Sequence, residues 1–207
     1  MEVLITQPGP RAWRRKSHPF SKGRERGRAA FSVFILGFWL LVLGLNPAGG
    51  QVVSHEYPLK AVFLLNFARF TGWPTNVFER ADSPLVIDVL GTDPFGPLLD
   101  DAVRGETVDG RKFVVERCRH LEDIKTCHIL FISQSEAPRL GKIIAALKER
   151  PILTVSDIES SAYRGFCVRF ITEDNKIRLR INLDSLKMAG LTMSSQVLRL
   201  AEIVSAK

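Results

Sequence analysis

The chain has 207 residues, 45% of them hydrophobic and 25% charged, with a formal charge of +7. That length holds one domain with a core able to fold without metal or cofactor. The charge is uneven: residues 1–50 carry eight of the 29 Lys and Arg and two of the 22 Asp and Glu, which leaves residues 51–207 at +1 and speaks against nucleic-acid binding.

The basic head runs into FSVFILGFWLLVLGL, Phe31–Leu45, which has neither charge nor Pro, and then into Asn46-Pro47-Ala48-Gly49-Gly50. A cationic segment, an apolar segment and small residues in that order make a secretory signal. The apolar run is short of the ~20 residues that span a bilayer. Residues 1–50 are therefore read as a signal peptide, with an uncleaved anchor as the alternative, and residues 51–207 as a single domain.

Pro58 opens a helix expected over 58–73, with Leu59, Val62, Phe63, Asn66, Phe67 and Phe70 at spacings of three and four and Gly72 and Pro74 ending it. Its apolar residues exceed one stripe. Phe63, Phe67 and Phe70 share a face, whereas Leu64 and Leu65 point away from it. Other helices of the domain or a partner surface could cover the surplus, and Leu64 and Trp73 are expected to be partly exposed.

Leu85–Leu90 is the first strand. Gly91-Thr92-Asp93-Pro94-Phe95-Gly96 turns into a second helix, capped by Asp93, with Phe95, Leu98, Leu99 and Ala102 inward. The glycine spacing is that of a phosphate loop, but Pro97-Leu98 stands where Lys and Ser or Thr are needed, so the nucleotide reading fails. Val108-Asp109-Gly110 reads as a turn and Lys112–Arg117 as a strand. Too little chain follows it for a parallel crossover, so it is an edge strand or its neighbour is not the next in sequence. His128–Ser133 is a short, uncharged, apolar run, as expected of a strand buried on both faces.

Ser135 opens a helix with Leu140, Ile143, Ile144 and Leu147 on one side. Ile152–Val155 is a strand, Ser156-Asp157 caps a turn through Ala162, and Phe166–Ile171 and Ile177–Leu183 form a hairpin around Glu173–Lys176. The second of these strands alternates Ile177, Leu179 and Ile181 with Arg178, Arg180 and Asn182. Ser194–Lys207 reads as a helix with Val197, Leu200, Ala201 and Val204 inward. The fold expected is α/β and three-layered: a mainly parallel sheet with an antiparallel C-terminal hairpin and helices on both faces.

Cys118, Cys127 and Cys167 would all meet an oxidising compartment after export. Cys118 and Cys127 are close in sequence and flank a loop, so they are the pair expected to bridge, with Cys167 free. The alternative is three small buried thiols. His55, His120 and His128 have no His or Cys partner at metal-ligand spacing on one element. No nucleophile elbow and no dinucleotide fingerprint occurs. Ser194-Ser195 is better explained as a helix cap than as a nucleophile. No catalytic, metal or cofactor set emerges, which leaves binding as the expected activity.

Lys60-Ala61-x-Phe63-Leu64-x-Asn66-Phe67-Ala68-x-Phe70-x-x-Trp73-Pro74 resembles the opening signature of the YfiR family. Leu90-Gly91-x-Asp93-Pro94-Phe95-Gly96, Cys127–Ser133 with Ser135-Glu136, Leu153–Asp157, the Asn175-Lys176 hairpin, Ala189-Gly190-Leu191 with Ser194-Ser195, and Leu198–Ala201 continue it in order. The resemblance implies a periplasmic, non-enzymatic α/β protein. Such a protein binds the periplasmic domain of an inner-membrane diguanylate cyclase, holds it inactive and so lowers cyclic-di-GMP; some relatives serve sensor kinases instead. Cys167 departs from the pattern, and Val86–Leu90 lacks the cysteine that some relatives carry, so no family disulfide carries over to Cys127. The candidate partner-binding residues are Leu64, Phe67 and Trp73 of the first helix and Arg178 and Arg180 of the hairpin; a homodimer is a further expectation. A second class of function is a periplasmic receptor with a small molecule in the crevice beyond the carboxyl ends of the strands.

Overall fold

The computed structural model describes residues 56–159, 165–174 and 176–205. The signal segment 1–50, His55, the turn expected through Ala162 and Asn175 of the hairpin loop lie wholly or partly outside them. The chain divides into two units at Val52 and Val53, and the fold described is that of the second.

The sheet grows from two strands that bury every side chain, β2 (Leu85–Leu90) and β5 (Ile129–Ile132). Uninterrupted apolar runs need cover on both faces, and parallel pairing with helical crossovers supplies it. β2 and β5 pair in parallel, Ile87 beside Ile129 and Leu90 beside Ile132. β6 (Leu153–Ser156) continues from β5, and β4 (Arg111–Cys118) lies on the other flank of β2, both parallel. β7 (Val168–Glu173) joins β6 in parallel, and β8 (Lys176–Asn182) closes the antiparallel hairpin, Val168 beside Ile181.

With β3 at Thr107–Val108 and β10 at Ala201–Val204, the full order is β10-β8-β7-β6-β5-β2-β4-β3. The strand at Arg111–Cys118 is thus not the neighbour of the next strand in sequence, because β2 stands between it and β5. The short β3 (Thr107–Val108) forms its outer edge through a two-residue turn in which Asp109 and Gly110 both have positive φ, 48° and 76°. That is the geometry of a type I′ hairpin, which Asp-Gly favours.

Strand side chains alternate between two cores. Ile87, Val89, Ile129, Phe131, Leu153 and Val155 pack on one face under α1 (Glu56–Phe70), α2 (Pro97–Val103) and α4 (Leu183–Met188). Leu90, Leu130 and Ile132 pack on the other under α3 (Leu140–Leu147), through Leu140, Ile143 and Leu147. The three layers expected are present.

Four local expectations are corrected. The first concerns α1, which buries Lys60, Ala61, Leu64, Leu65, Phe67 and Ala68, so Leu64, at 0% exposure, is core and not a partly exposed anchor. Leu59 and Val62, assigned to the inner stripe, are instead 46% and 44% exposed. The inner face is set by the inward Lys60, which periodicity counts as polar. Secondly, α2 starts at Pro97, three residues later than expected, because Asp93 Oδ1 accepts from Phe95 N at 2.7 Å and holds a turn there; Leu98 is exposed. Thirdly, the helix expected from Ser135 is a 3-10 segment, Gln134–Arg139, before α3 begins.

The fourth correction is the tail. Only α5 (Ser195–Leu198) is helical, and β10 (Ala201–Val204) follows, parallel to β8 with Ala201 beside Leu179. The free edge of β8 offers backbone partners, and β-branched Ile203 and Val204 suit a strand. Leu200 is 77% exposed instead of inward. A two-stranded sheet of β1 (Thr71–Gly72) and β9 (Thr192–Met193) ties the end of α1 to this region.

Cutting Leu64 to Ala removes a fully buried side chain and leaves a cavity, at a cost of about 3 kcal/mol. A urea melt of Leu64→Ala should show that loss in midpoint with an unchanged slope; a loss below about 1 kcal/mol would return the residue to the surface.

Candidate functional site at the strand ends

The polar side chains that the core does not explain gather where strands end. Asp157 follows β6, Gln134 follows β5, and the first turn of α1 lies above them. Lys60 Nζ is 2.5 Å from Asp157 Oδ2 and 2.5 Å from Glu56 Oε1, with 1% of its side chain exposed. Tyr57 donates to Asp157 Oδ2 at 3.2 Å, Thr172 donates to Glu56 Oε1 at 2.9 Å, and Gln134 Nε2 donates to the Asp157 carbonyl at 2.7 Å. The ammonium also lies 4.6 Å from the Tyr57 ring centre and 5.8 Å from that of Phe170.

A cleft of about 230 Å³ here is lined by Lys60, Asp157, Glu159, Arg169, Phe170 and their neighbours. Burial raises the Glu56 carboxyl, but hydrogen bonds from Lys60 and Thr172 and the Lys60 charge outweigh it, and the group sits below its ordinary range. Burial and the adjoining Asp157 carboxylate push the Tyr57 hydroxyl well up, so it stays a donor.

A second crevice, about 580 Å³, opens at the point where the strand order reverses, beyond β2, β4 and β5. Gly91 there has φ +95°, and a Cβ on it would stand 2.4 Å from Ser135 Oγ. The Thr92 amide donates to the same hydroxyl at 2.9 Å, which ties the two turns together. Arg117 is held by Asp93 at 2.6 Å and Asp100 at 2.5 Å, and Arg139 by the buried Glu136 at 2.6 Å. These guanidinium groups already have carboxylate partners, in accord with the failed phosphate-loop reading.

At the opposite end of the strands His128 is 1% exposed. Its Nδ1 accepts from Val86 N at 3.1 Å, and its ring stacks on Phe78 at 4.5 Å between centres. Arg111 lies 3.8 Å from the same Phe78 ring centre, and Trp73 meets Phe78 and His128 edge-on. Burial, with Arg111 adding to it, pushes His128 down to about 4.

Of the residues expected to bind a partner, Leu64 and Phe67 are in the core, at 0% and 1% exposure. Trp73 is half-buried in the aromatic stack. Arg178 and Arg180 remain on the surface, at 62% and 23% side-chain exposure; Arg178 pairs with Glu173 at 3.4 Å and Arg180 with Glu202 at 2.7 Å. Leu200 immediately precedes the Ala201–Leu179 pair, in the turn that closes α5. Sequence reading missed Leu200 by placing it in a helix.

The expected Cys118–Cys127 bridge is also corrected: all three cysteines are free and buried. Cys118 pairs in register with Leu90 on one flank of β2, while Cys127 lies on the other, next to His128, whose amide bonds the Val86 carbonyl. Two strand spacings separate their Cα atoms by about 9.5 Å or more, past the roughly 7 Å a disulfide tolerates. Among the described residues, no three His, Cys, Asp or Glu side chains gather as metal ligands. No helix among them is long and apolar enough to cross a membrane.

A family model described as YfiR/HmsC-like matches residues 57–202, which takes in the fold described above except the first residue of α1 and the last two of β10. The chain belongs to the YfiR/HmsC-like family. Membership implies a periplasmic regulator of diguanylate cyclase signalling, from a regulatory, non-catalytic family. No curated protein matches the chain. Two stretches of the YfiR-like signature, Lys60–Pro74 and Leu153–Asp157, supply the two ends of the buried ion pair. Sequence reading passed over this pair; the signal it left was a Lys inside an apolar helix, which has to meet an acid.

Burial raises all three thiols, Cys118 to about 12, so they react slowly in the folded protein. Alkylation after denaturation without reductant should add three labels by intact mass; a single label would restore the bridge. His128 is held neutral in the fold and has its ordinary value of about 6.5 when unfolded. The unfolded chain therefore binds the extra proton, and stability present above pH 6.5 is lost as pH falls towards 4, by up to about 3 kcal/mol. Urea melts at pH 7 and pH 4.5 should show this loss. His128→Asn, which keeps an acceptor for Val86 N, should flatten it.

Proposed function

We propose that this protein is a non-enzymatic regulator, exported to the periplasm by its signal segment, that binds the periplasmic domain of an inner-membrane diguanylate cyclase and holds the enzyme inactive. Family membership across 57–202 carries this reading. The contact we favour is the β8–β10 flank, where Leu200 and Ile203 are 77% and 43% exposed and Arg178 lies on β8. Exposed apolar side chains rimmed by arginine are the composition of a protein interface, and an edge strand adds unpaired backbone groups. The same flank on a second copy is where a homodimer would form, in competition with the cyclase.

A receptor that feeds a membrane sensor such as a histidine kinase is the second reading. The polar cleft at Lys60 and Asp157 favours it, since it lies at the carboxyl ends of parallel strands.

Leu200→Glu and Arg178→Glu change exposed side chains and should leave the melting temperature within a few degrees. Loss of an interface anchor costs ~2 kcal/mol or more, about thirtyfold in affinity. Each variant should therefore raise cellular cyclic-di-GMP towards the level of a strain lacking the protein. Full repression by both folded variants would move the partner to another face, and an unchanged cyclic-di-GMP level on deleting the protein would favour the sensor kinase.

A further inference from the structure

The connection from α1 to β2 crosses the amino ends of the strands and is anchored at few points. Within residues 74–84, Glu79, Arg80, Ala81 and Asp82 are exposed, and Phe78 is the one aromatic side chain. Its ring stacks on His128 at 4.5 Å between centres, and the Arg111 guanidinium lies 3.8 Å from the same ring centre. Two groups so close to one ring take opposite faces, so Phe78 stands between the imidazole and the guanidinium. Arg111 also donates to the Arg80 and Ser83 carbonyls at 2.9 and 2.8 Å. A segment held by one ring and one guanidinium opens at lower cost than the core it covers.

This seat takes only a neutral imidazole. Nδ1 accepts from Val86 N, so the ring proton is on Nε2, which is buried and has no hydrogen-bond partner among the described residues. A second proton would go to Nδ1. It would point at the Val86 N–H, leave both ring nitrogens without an acceptor, and put a second cation on the ring that already meets Arg111. The other charged groups around this end are Glu79, Glu116 of β4, Lys125 before β5 and Arg150 before β6. Glu79 and Glu116 are exposed, so neither carboxylate pairs the buried ring. The His128 backbone does not depend on the ring: its N–H donates to the Val86 carbonyl at 3.0 Å and its carbonyl accepts from Leu153 N at 2.8 Å.

We propose that residues 74–84 form an acid-released strap: a proton taken up at His128 Nδ1 unseats Phe78, and the strap leaves the amino ends of β2, β5 and β6 while the sheet stays folded. Release widens the crevice of about 510 Å³ that Phe78, Val86, Cys127, His128 and Ile152 line. The closed seat holds His128 down at about 4, and release returns it to its ordinary value of about 6.5. The open form therefore binds the extra proton and gains as pH falls from 6.5 towards 4. From pH 7 to pH 4.5 the ratio of open to closed strap rises about fiftyfold. The strap is apart from the β8–β10 flank, and its release does not depend on the partner proposed there.

The test follows NMR spectra of the protein purified from the periplasm between pH 7 and pH 3.5. Cross-relaxation between the Phe78 and His128 rings should vanish, and the Val86 amide should shift, with the midpoint of the His128 ring. The Leu130 and Val155 amides should keep their native positions throughout. His128→Asn, which keeps an acceptor for Val86 N, should hold the strap signals constant over the same range. Phe78→Leu alters a half-buried side chain and lets water reach the imidazole, so the proton affinity of His128 should rise tenfold or more. If His128→Asn fails to fold, the wild-type spectra and the Phe78→Leu titration decide. Loss of strap and core signals together, titration of His128 with the ring contacts kept, or an unchanged midpoint in Phe78→Leu would overturn the proposal.

Discussion

A lysine ammonium with 1% of its side chain exposed cannot stay unpaired, and the architecture around α1 follows from that requirement. Leaving such a charge without a partner costs several kcal/mol, so the helix must sit where carboxylates meet it. Asp157 and Glu56 do so at 2.5 Å each. With Lys60 turned inward, the positions four, seven and eight residues on, Leu64, Phe67 and Ala68, are turned inward as well, and Leu59 and Val62 are turned out. The same contact fixes the helix along its axis, because Asp157 belongs to the end of β6. Phe67 then stacks on Phe170 at 5.9 Å and Phe63 on Phe67 at 6.1 Å, so the aromatic layer follows from the charge. A buried pair of this kind contributes more to orientation than to net stability, since desolvation offsets most of the Coulomb attraction.

This explains which parts of the fold are legible in the sequence. β2, β5 and β6 could be read because an uncharged apolar run bounded by turn formers has one compact solution, a strand covered on both faces. The β7–β8 hairpin could be read because Leu179 and Ile181 alternate with Arg178 and Arg180. The rotation of α1 could not, since its apolar residues surround the axis and the deciding residue is a lysine. The tail could not, since Val197, Leu200, Ala201 and Val204 fit a helical period equally well. What converts Ala201–Val204 into a strand is the open edge of β8, a partner that lies more than twenty residues back along the chain. α4 and the β1–β9 pair were not foreseen for the same reason: short elements take their form from neighbours.

The site was legible only in its chemistry. Arg178 and Arg180 were placed on an exposed face and are found there. Leu64 and Phe67 were assigned to a surface because an excess of apolar side chains suggested one, and the domain itself buries both. The Lys60–Asp157 contact joins residues 97 apart, beyond any local pattern. The cysteine pairing failed on register: nearness in sequence says nothing of the strand that comes to lie between two residues, and β2 lies between Cys118 and Cys127.

The two edges of the sheet are finished differently, and the difference bears on how a regulator of this family could work. On one side β3 is two residues long and covers only Arg111 and Lys112 of β4, so among the described residues the outer edge of β4 from Phe113 to Cys118 has no strand beside it. On the other side β10 runs for four residues with Leu200 and Ile203 exposed. Arg180 and Glu202 pair between β8 and β10, and Arg178 pairs with Glu173, so the charges on this flank are matched within the domain. On the reading proposed above, a partner would meet exposed apolar side chains on this flank among charges that are already paired. The cleft at Asp157 lies at the strand ends and not on this edge.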